Sequence, residues 1–334
     1  MDRVPVFVGL DYADSSVQVC VLDGSGRQLG NRPCRNDWRA IAPYVETLGT
    51  PGQVAIEVGT GAAHLADELR NRAGWPVQLA HPGFVHRMKQ NPDKTDYADS
   101  RLLADLARVG YLPTVWLAPA EVRELRRLVR YRQELVNQRR AAKLRVSALL
   151  RDHRVKRPLG KTWTQRWQRW LGTVELPAHS RFLVDRHVLQ IRLLGREVNL
   201  VEQRLAQTVA GDAWVTRLMQ QRGIGLVTAC VLRAEIGDFG RFRTGKQLAR
   251  FCGLSPRNAS SGQRQADAGL IRAGSTLLRA TLIEAAQRLM RFDPRWASFA
   301  ARLLYAGKPW CLVAAAVANR WMRWLFYELQ RPAA

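Results

Sequence analysis

Val6-Phe7-Val8-Gly9-Leu10-Asp11 is an apolar run that stops on a carboxylate, and Ser16-Val17-Gln18-Val19-Cys20-Val21-Leu22 soon follows it with valines at every second position. Period-two alternation marks a strand with one buried face, and Asp23-Gly24-Ser25-Gly26 is a turn, so the two runs predict a hairpin. Working outward, residues 38–48 carry helical spacing, 53–58 read as a buried strand, 62–72 as a helix, 77–79 as a strand and 97–109 as a helix. Strands that alternate with helices after an opening hairpin predict a mixed α/β domain over residues 1–115.

The chain has 334 residues, 47% apolar and 24% charged, enough to bury a core and long enough for more than one domain. Its net charge of +24 calls for a polyanionic partner, a nucleic acid or an anionic membrane surface. The excess is unevenly placed: residues 1–120 sum to −1, residues 121–170 to +12 and residues 171–334 to +13. The longest apolar stretch, at residues 312–318, falls well short of the roughly 20 residues that a membrane span needs. The first residues show no signal-peptide pattern, so the cytoplasm is expected. Five cysteines without Cys-x-x-Cys spacing suggest neither a disulfide framework nor a thiolate zinc site.

The middle of the chain changes character. Leu125, Leu128, Arg132, Leu135, Arg139, Ala142, Val146 and Leu149 step by three and four, and Val184, His187, Ile191, Leu194, Val198, Val201, Leu205 and Thr208 do the same. Two heptad seams predict an antiparallel coiled-coil hairpin with its linker over residues 116–210, though two core helices of a bundle would give a similar pattern. Between them, residues 151–169 are strongly basic and interleaved with Trp163 and Trp167, and Trp170 follows. Such a segment suits nucleic acid, with arginines on phosphates and an aromatic on a base, or else the tryptophans form a small core. Residues 211–334 read as helical, interrupted by Gly223-Ile224-Gly225. That turn resembles a helix-hairpin-helix, whose backbone N–H groups approach a DNA phosphate, which makes Gly223 and Gly225 candidate nucleic-acid contacts.

Four carboxylates of the first domain form a pattern. Asp11 closes the first strand, Glu57 lies in Val54-Ala55-Ile56-Glu57-Val58 among apolar neighbours expected to bury it, and Asp96 and Asp99 stand one helical turn apart in Lys94-Thr95-Asp96-Tyr97-Ala98-Asp99. Buried carboxylates need a partner, and like charges that close repel unless a cation intervenes. An all-oxygen donor set without His or Cys suits Mg²⁺. Acids in this order are how a ribonuclease-H-type fold builds a two-metal site.

The basic half holds a second signature. Gly253-Leu254-Ser255-Pro256-Arg257-Asn258-Ala259-Ser260-Ser261-Gly262-Gln263-Arg264 follows Ile236-Gly237-Asp238-Phe239 and precedes Ile271-Arg272-Ala273-Gly274. With these two signatures in this order, from Val8 to about residue 285, the chain resembles the insertion-sequence transposases related to the Piv-type DNA invertases. That family includes the bridge-RNA-guided recombinases.

The resemblance implies an α/β RuvC-like (RNase H-like) domain, a coiled-coil middle and an all-α transposase domain. It implies a metal-holding tetrad at Asp11, Glu57, Asp96 and Asp99, with Mg²⁺ as cofactor. It places the catalytic serine at Ser261, with Ser260 the lesser claimant. Where the family commonly has Lys-Arg-Gly, this chain has Arg272-Ala273-Gly274, which puts one backbone contact by Arg272 in doubt. Ser261 would attack a DNA phosphate to form a phosphoserine link, and Arg257 and Arg264, flanking it, would hold that phosphate. The implied partners are donor and target DNA, a non-coding bridge RNA that reads both, and further copies of the chain in a dimer or tetramer. Strand exchange would pass through a Holliday-type junction. Two other readings fit the residues: a RuvC-like Mg²⁺-dependent nuclease that uses water as nucleophile, and a non-catalytic RNA- or DNA-binding protein.

Overall fold

The valines of the opening hairpin settle its register. In the computed structural model, which describes residues 4–89, 95–258, 267–271 and 274–330, β1 (Pro5–Tyr12) pairs antiparallel with β2 (Ser16–Leu22), setting Leu10 opposite Val19 and Asp11 opposite Gln18. Next come β3 (Gln28–Arg35), α1 (Trp38–Leu48), β4 (Thr50–Glu57), α2 (Ala62–Ala73), β5 (Val77–Ala80), α3 (Pro82–Met88), α4 (Asp96–Arg108) and β6 (Thr114–Val115). The strands make one mixed sheet in the order β3-β2-β1-β4-β5-β6, with β1, β4 and β5 mutually parallel. Val6, Val8 and Leu10 of β1 and Val54 and Ile56 of β4 are buried with α1 and α2 on one face. Ala55 turns to the other face, against Leu103, Leu106 and Ala107 of α4.

The sequence reading omits β3 and α3. β3 holds Gly30 and Pro33, poor strand formers, but it is an edge strand, where a missing N–H costs no ladder bond, and Gly30 lies where a Cβ would strike the Tyr44 hydroxyl at 2.2 Å. The short helix α3 starts on Pro82 with His81 as its cap, Nδ1 accepting from the Gly83 amide at 3.1 Å.

Residues 1–118 and 119–334 form two compact units. The second begins with α5 (Ala120–Asp152), α6 (Gln165–Thr173) and α7 (Ala178–Thr208). It continues with α8 (Ala213–Met219), α9 (Leu226–Ile236), α10 (Gly245–Phe251), the hairpin β7 (Pro256–Asn258) and β8 (Asp267–Leu270), α11 (Thr276–Phe292), α12 (Pro294–Tyr305) and α13 (Trp310–Gln330). α5 and α7 pack antiparallel along the apolar seams: Val146 and Leu150 meet Val184 at one end, and Arg132 bridges Glu202 at 2.6 Å towards the other. The α5 seam drifts by one residue, so that Leu150, not Leu149, is fully buried, as a straight helix of 3.6 residues per turn requires.

A boundary at residue 210 does not separate two cores. Leu125, Val129 and Leu135 of α5 and Val198, Val201 and Leu205 of α7 belong to the same buried cluster as Leu232, Leu282 and Trp321, because the seams run on into the C-terminal helices. The basic linker's tryptophans are packed against each other: Trp167 is buried, 4.6 Å from Trp163 and 5.5 Å from Trp170 between ring centroids. Trp167 joins Val146, Leu150, Leu171 and Val184 in a small core at the far end of the helix pair, so the core alternative for this segment holds. Among the described residues no helix is long and apolar enough to cross a membrane.

Candidate active site

Alternation along β1 sends Phe7, Gly9 and Asp11 to the face opposite Val8 and Leu10, and the same alternation along parallel β4 sends Ala55 and Glu57 there. α4 crosses that face over Gly9. A Cβ at Gly9 would lie 2.0 Å from the Ser100 carbonyl oxygen and 2.4 Å from the Ala104 amide nitrogen, so only glycine lets the helix come so close. The approach delivers Asp99, one residue before Ser100, to the strand ends that carry Asp11 and Glu57. The Thr95 side chain caps α4, its Oγ1 accepting from the Ala98 amide at 3.2 Å, which fixes where the helix begins and therefore where its acids point.

Asp11, Glu57 and Asp99 line one cavity of about 550 Å³, together with His86 and Lys89 from α3 and its C-cap. Asp99 is buried, and its Oδ2 accepts from the Lys89 ammonium at 2.6 Å. The Asp11 carboxyl is pushed up from 3.8 to about 6, by burial first and then by the negative charges of Asp96, Asp99 and Glu57, with Lys89 pulling the other way. The cavity therefore holds more negative charge than its own lysine offsets.

Two details depart from the sequence reading. Glu57 is half-buried, because β4 ends there and the side chain opens into the cavity. Asp96 is exposed and does not line the cavity, although it is near enough to raise Asp11. Asp105, further along α4, turns away to pair with Arg108 at 2.7 Å. Among the described residues no three His, Cys, Asp or Glu side chains converge closely enough to enclose an ion. The donor chemistry nonetheless fits a hard cation: carboxylate oxygens from two strands and a helix, with one of them, Asp11, raised to about 6 by burial and then by its acidic neighbours.

Gly9, His86 and Lys89 are missed by the sequence reading. A glycine inside an apolar strand is a legible sign of close backbone approach, whereas nothing local marks Lys89 or His86 as facing acids distant in sequence.

In the second unit, Gly223 takes a left-handed φ of +78° and Gly225 caps α9 in extended conformation. The Arg288 guanidinium reaches both the Gly223 carbonyl and the Thr228 hydroxyl at 3.5 Å. Arg257 is exposed on β7. Ser260, Ser261 and Arg264, between β7 and β8, and Arg272 lie outside the described residues.

Comparison with known proteins fits both halves. A DEDD IS110 transposase model, described as "Transposase", matches residues 8–154, and the model "Transposase IS116/IS110/IS902 family" matches residues 215–301. A "Probable family 20 transposase" of Pseudomonas aeruginosa is 30% identical over 336 residues, covering 97% of this chain and 96% of the relative. The "Transposase for insertion sequence element IS1111A" of Coxiella burnetii is 27% identical over 85% of this chain and 78% of its own length. The corresponding transposase of IS1328 from Yersinia enterocolitica is 26% identical over 85% and 84%. An acid-lined cavity at the strand ends of one unit, joined to a strongly basic helical unit, is thus the equipment of a DNA-recombining enzyme, a transposase. The chain belongs to the IS116/IS110/IS902 family of insertion-sequence transposases.

Proposed function

We propose that this transposase cuts and rejoins DNA with Mg²⁺ held by Asp11, Glu57, Asp96 and Asp99 and with Ser261 as nucleophile, guided to donor and target DNA by a non-coding bridge RNA. The observation that carries the reading is the cavity that Asp11, Glu57 and Asp99 all line and where burial and the neighbouring acids raise Asp11 to about 6. The sheet order β3-β2-β1-β4-β5, with an antiparallel start and a parallel continuation, supports a RuvC-like, RNase H-type domain. Bound there, the cation supplies charge stabilisation at the scissile phosphate. Asp11 and Glu57 would present oxygens to it from adjacent strand ends and Asp99 from α4, where the Lys89 ammonium holds its carboxylate. The Ser261 Oγ displaces a deoxyribose oxygen from the phosphorus. Its proton passes to a base, and the departing strand oxygen takes one up. The phosphoserine link keeps the bond energy for rejoining, so strand exchange proceeds through a Holliday-type junction in a dimer or tetramer. Arg257 and Arg264 flank the serine in sequence and are assigned to the phosphate, and Gly223, Gly225 and Arg272 to the nucleic-acid backbone.

The test is a suicide DNA substrate incubated with the cognate RNA and Mg²⁺. Wild type gives a denaturant-stable protein–DNA adduct, and Ser261→Ala and Asp11→Ala lose it while still binding DNA. Cut DNA without an adduct would instead make the chain a nuclease using water. Binding with no cut strand would leave a non-catalytic nucleic-acid binder. An adduct that forms equally well without RNA would remove the guide from the reading.

A further inference from the structure

From Pro294 to Tyr327 the chain contains Arg295, Arg302, Lys308, Arg320 and Arg323 and no acidic residue. This stretch is the hairpin of α12 and α13, and three of its five basic groups are laid on rings. The Arg295 guanidinium lies 4.7 Å from the Trp324 ring centroid, and those of Arg302 and Arg320 lie 5.7 and 5.3 Å from the ring of Phe299. Along α12, Arg295, Phe299, Arg302 and Tyr305 step by four, three and three, which places them on one side of the helix. The row ends at the turn between the helices, where Tyr305 is 97% exposed and Trp310 46% exposed on either side of Gly307 and Lys308.

A folded turn that leaves the whole Tyr305 side chain and nearly half of Trp310 in water gains little from those exposed surfaces in stability. Rings flanked by cations ask for two features in one partner: the positive field favours a polyanion, and the rings favour a flat apolar surface. A duplex offers phosphates but hides its base faces within the stack. A single strand offers both together, phosphates for the guanidinium row and an open base face for the rings. Strand exchange by a transposase takes DNA bases out of their duplex, so such a strand arises in the reaction itself.

We propose that the turn between α12 and α13 is a stacking platform for an unpaired base of a single DNA strand, with Tyr305 and Trp310 against the base and Arg302 and Lys308 on the neighbouring phosphates. The inference rests on the reading of the chain as an enzyme that exchanges DNA strands, but it concerns residues that reading does not use.

The experiment measures the affinity of the full-length protein for a mixed-sequence single-stranded DNA of about 12 nucleotides, for the same sequence as duplex and for the same sequence as RNA. In Tyr305→Ala Trp310→Ala, single-strand DNA affinity should fall about tenfold or more while duplex affinity stays within about twofold. Tyr305→Phe Trp310→Phe keeps the rings and should bind single strands within about twofold of wild type. Because both side chains are exposed, neither variant disturbs the core, and an unchanged thermal melt confirms this. Unchanged single-strand affinity in the alanine variant overturns the proposal, as does an equal loss on duplex or a loss confined to RNA. A fall in oligomeric mass with single-strand affinity intact would assign the rings to contacts between copies, which also overturns it. If wild type binds neither form of DNA, the reading of the enzyme itself fails, a result distinct from an unaffected variant.

Discussion

Asp11 shows what the site demands of one residue. Its carboxyl is raised to about 6 against an ordinary 3.8, so between these values the folded chain binds more protons than the unfolded one, and this group's contribution to stability falls as pH rises from about 4 to about 6. Asp11→Asn removes the repulsion. At pH 7 without divalent ions, we expect urea denaturation to show a gain on the order of 1 kcal/mol, after allowing for solvent screening at a half-buried site, alongside complete loss of DNA cleavage. Lys89 has the opposite sign. Its ammonium is a close counter-charge to buried Asp99, so Lys89→Ala should cost about 2 kcal/mol under the same conditions, and adding Asp99→Asn should recover most of it in a double-mutant cycle. Asp11 is legible in sequence because it closes a short apolar run, and Glu57 because it interrupts one. Lys89 is not, since its partner is set by the fold of a segment with no periodic pattern.

At the scale of elements, the decisive contact is α4 on β1. Gly9 leaves no room for a Cβ between the Ser100 carbonyl and the Ala104 amide, both of them backbone atoms that cannot swing aside. Gly9→Ala should therefore lift the helix that carries Asp99 and cost about 3 kcal/mol or more, read as a lowered melting temperature together with loss of cleavage. The hairpin β1–β2 and the helix pair α5–α7 are readable in the sequence because their periods, two and three-to-four, extend over many residues. The edge strand β3 is not, because Gly30 and Pro33 are tolerated there only by virtue of its place at the sheet margin. Trp163, Trp167 and Trp170 show the limit of composition: spacing among arginines fits a nucleic-acid surface and a core equally, and only packing against Val146, Leu150 and Val184 separates them.

At the scale of the molecule, charge and cores divide the chain at the same place. The sum of −1 over residues 1–120 and the large positive sums beyond it follow the division into units at residue 118, and so do the hydrophobic clusters, the largest of which joins α5 and α7 to the C-terminal helices. Residues 4–118, expressed alone, should fold and unfold in one cooperative transition, observable by circular dichroism. With so many arginines meeting phosphates, nucleic-acid affinity of the whole chain should fall by about a thousandfold or more between 50 and 200 mM salt. A titration flat in ionic strength would contradict the electrostatic basis of its binding.

The ion pair of Arg132 with Glu202 lies within the seam of α5 and α7. Sliding α7 by one heptad in either direction would set the guanidinium against Gly195 or Val209 and strand its charge. The helix pair thus has a single register, and with about 30 residues at 1.5 Å each it is a strut of about 45 Å whose length cannot creep. Whatever the basic far end holds is kept at a set distance from the C-terminal core, as on a ruler, and evolution can lengthen that ruler only in matched steps of both helices.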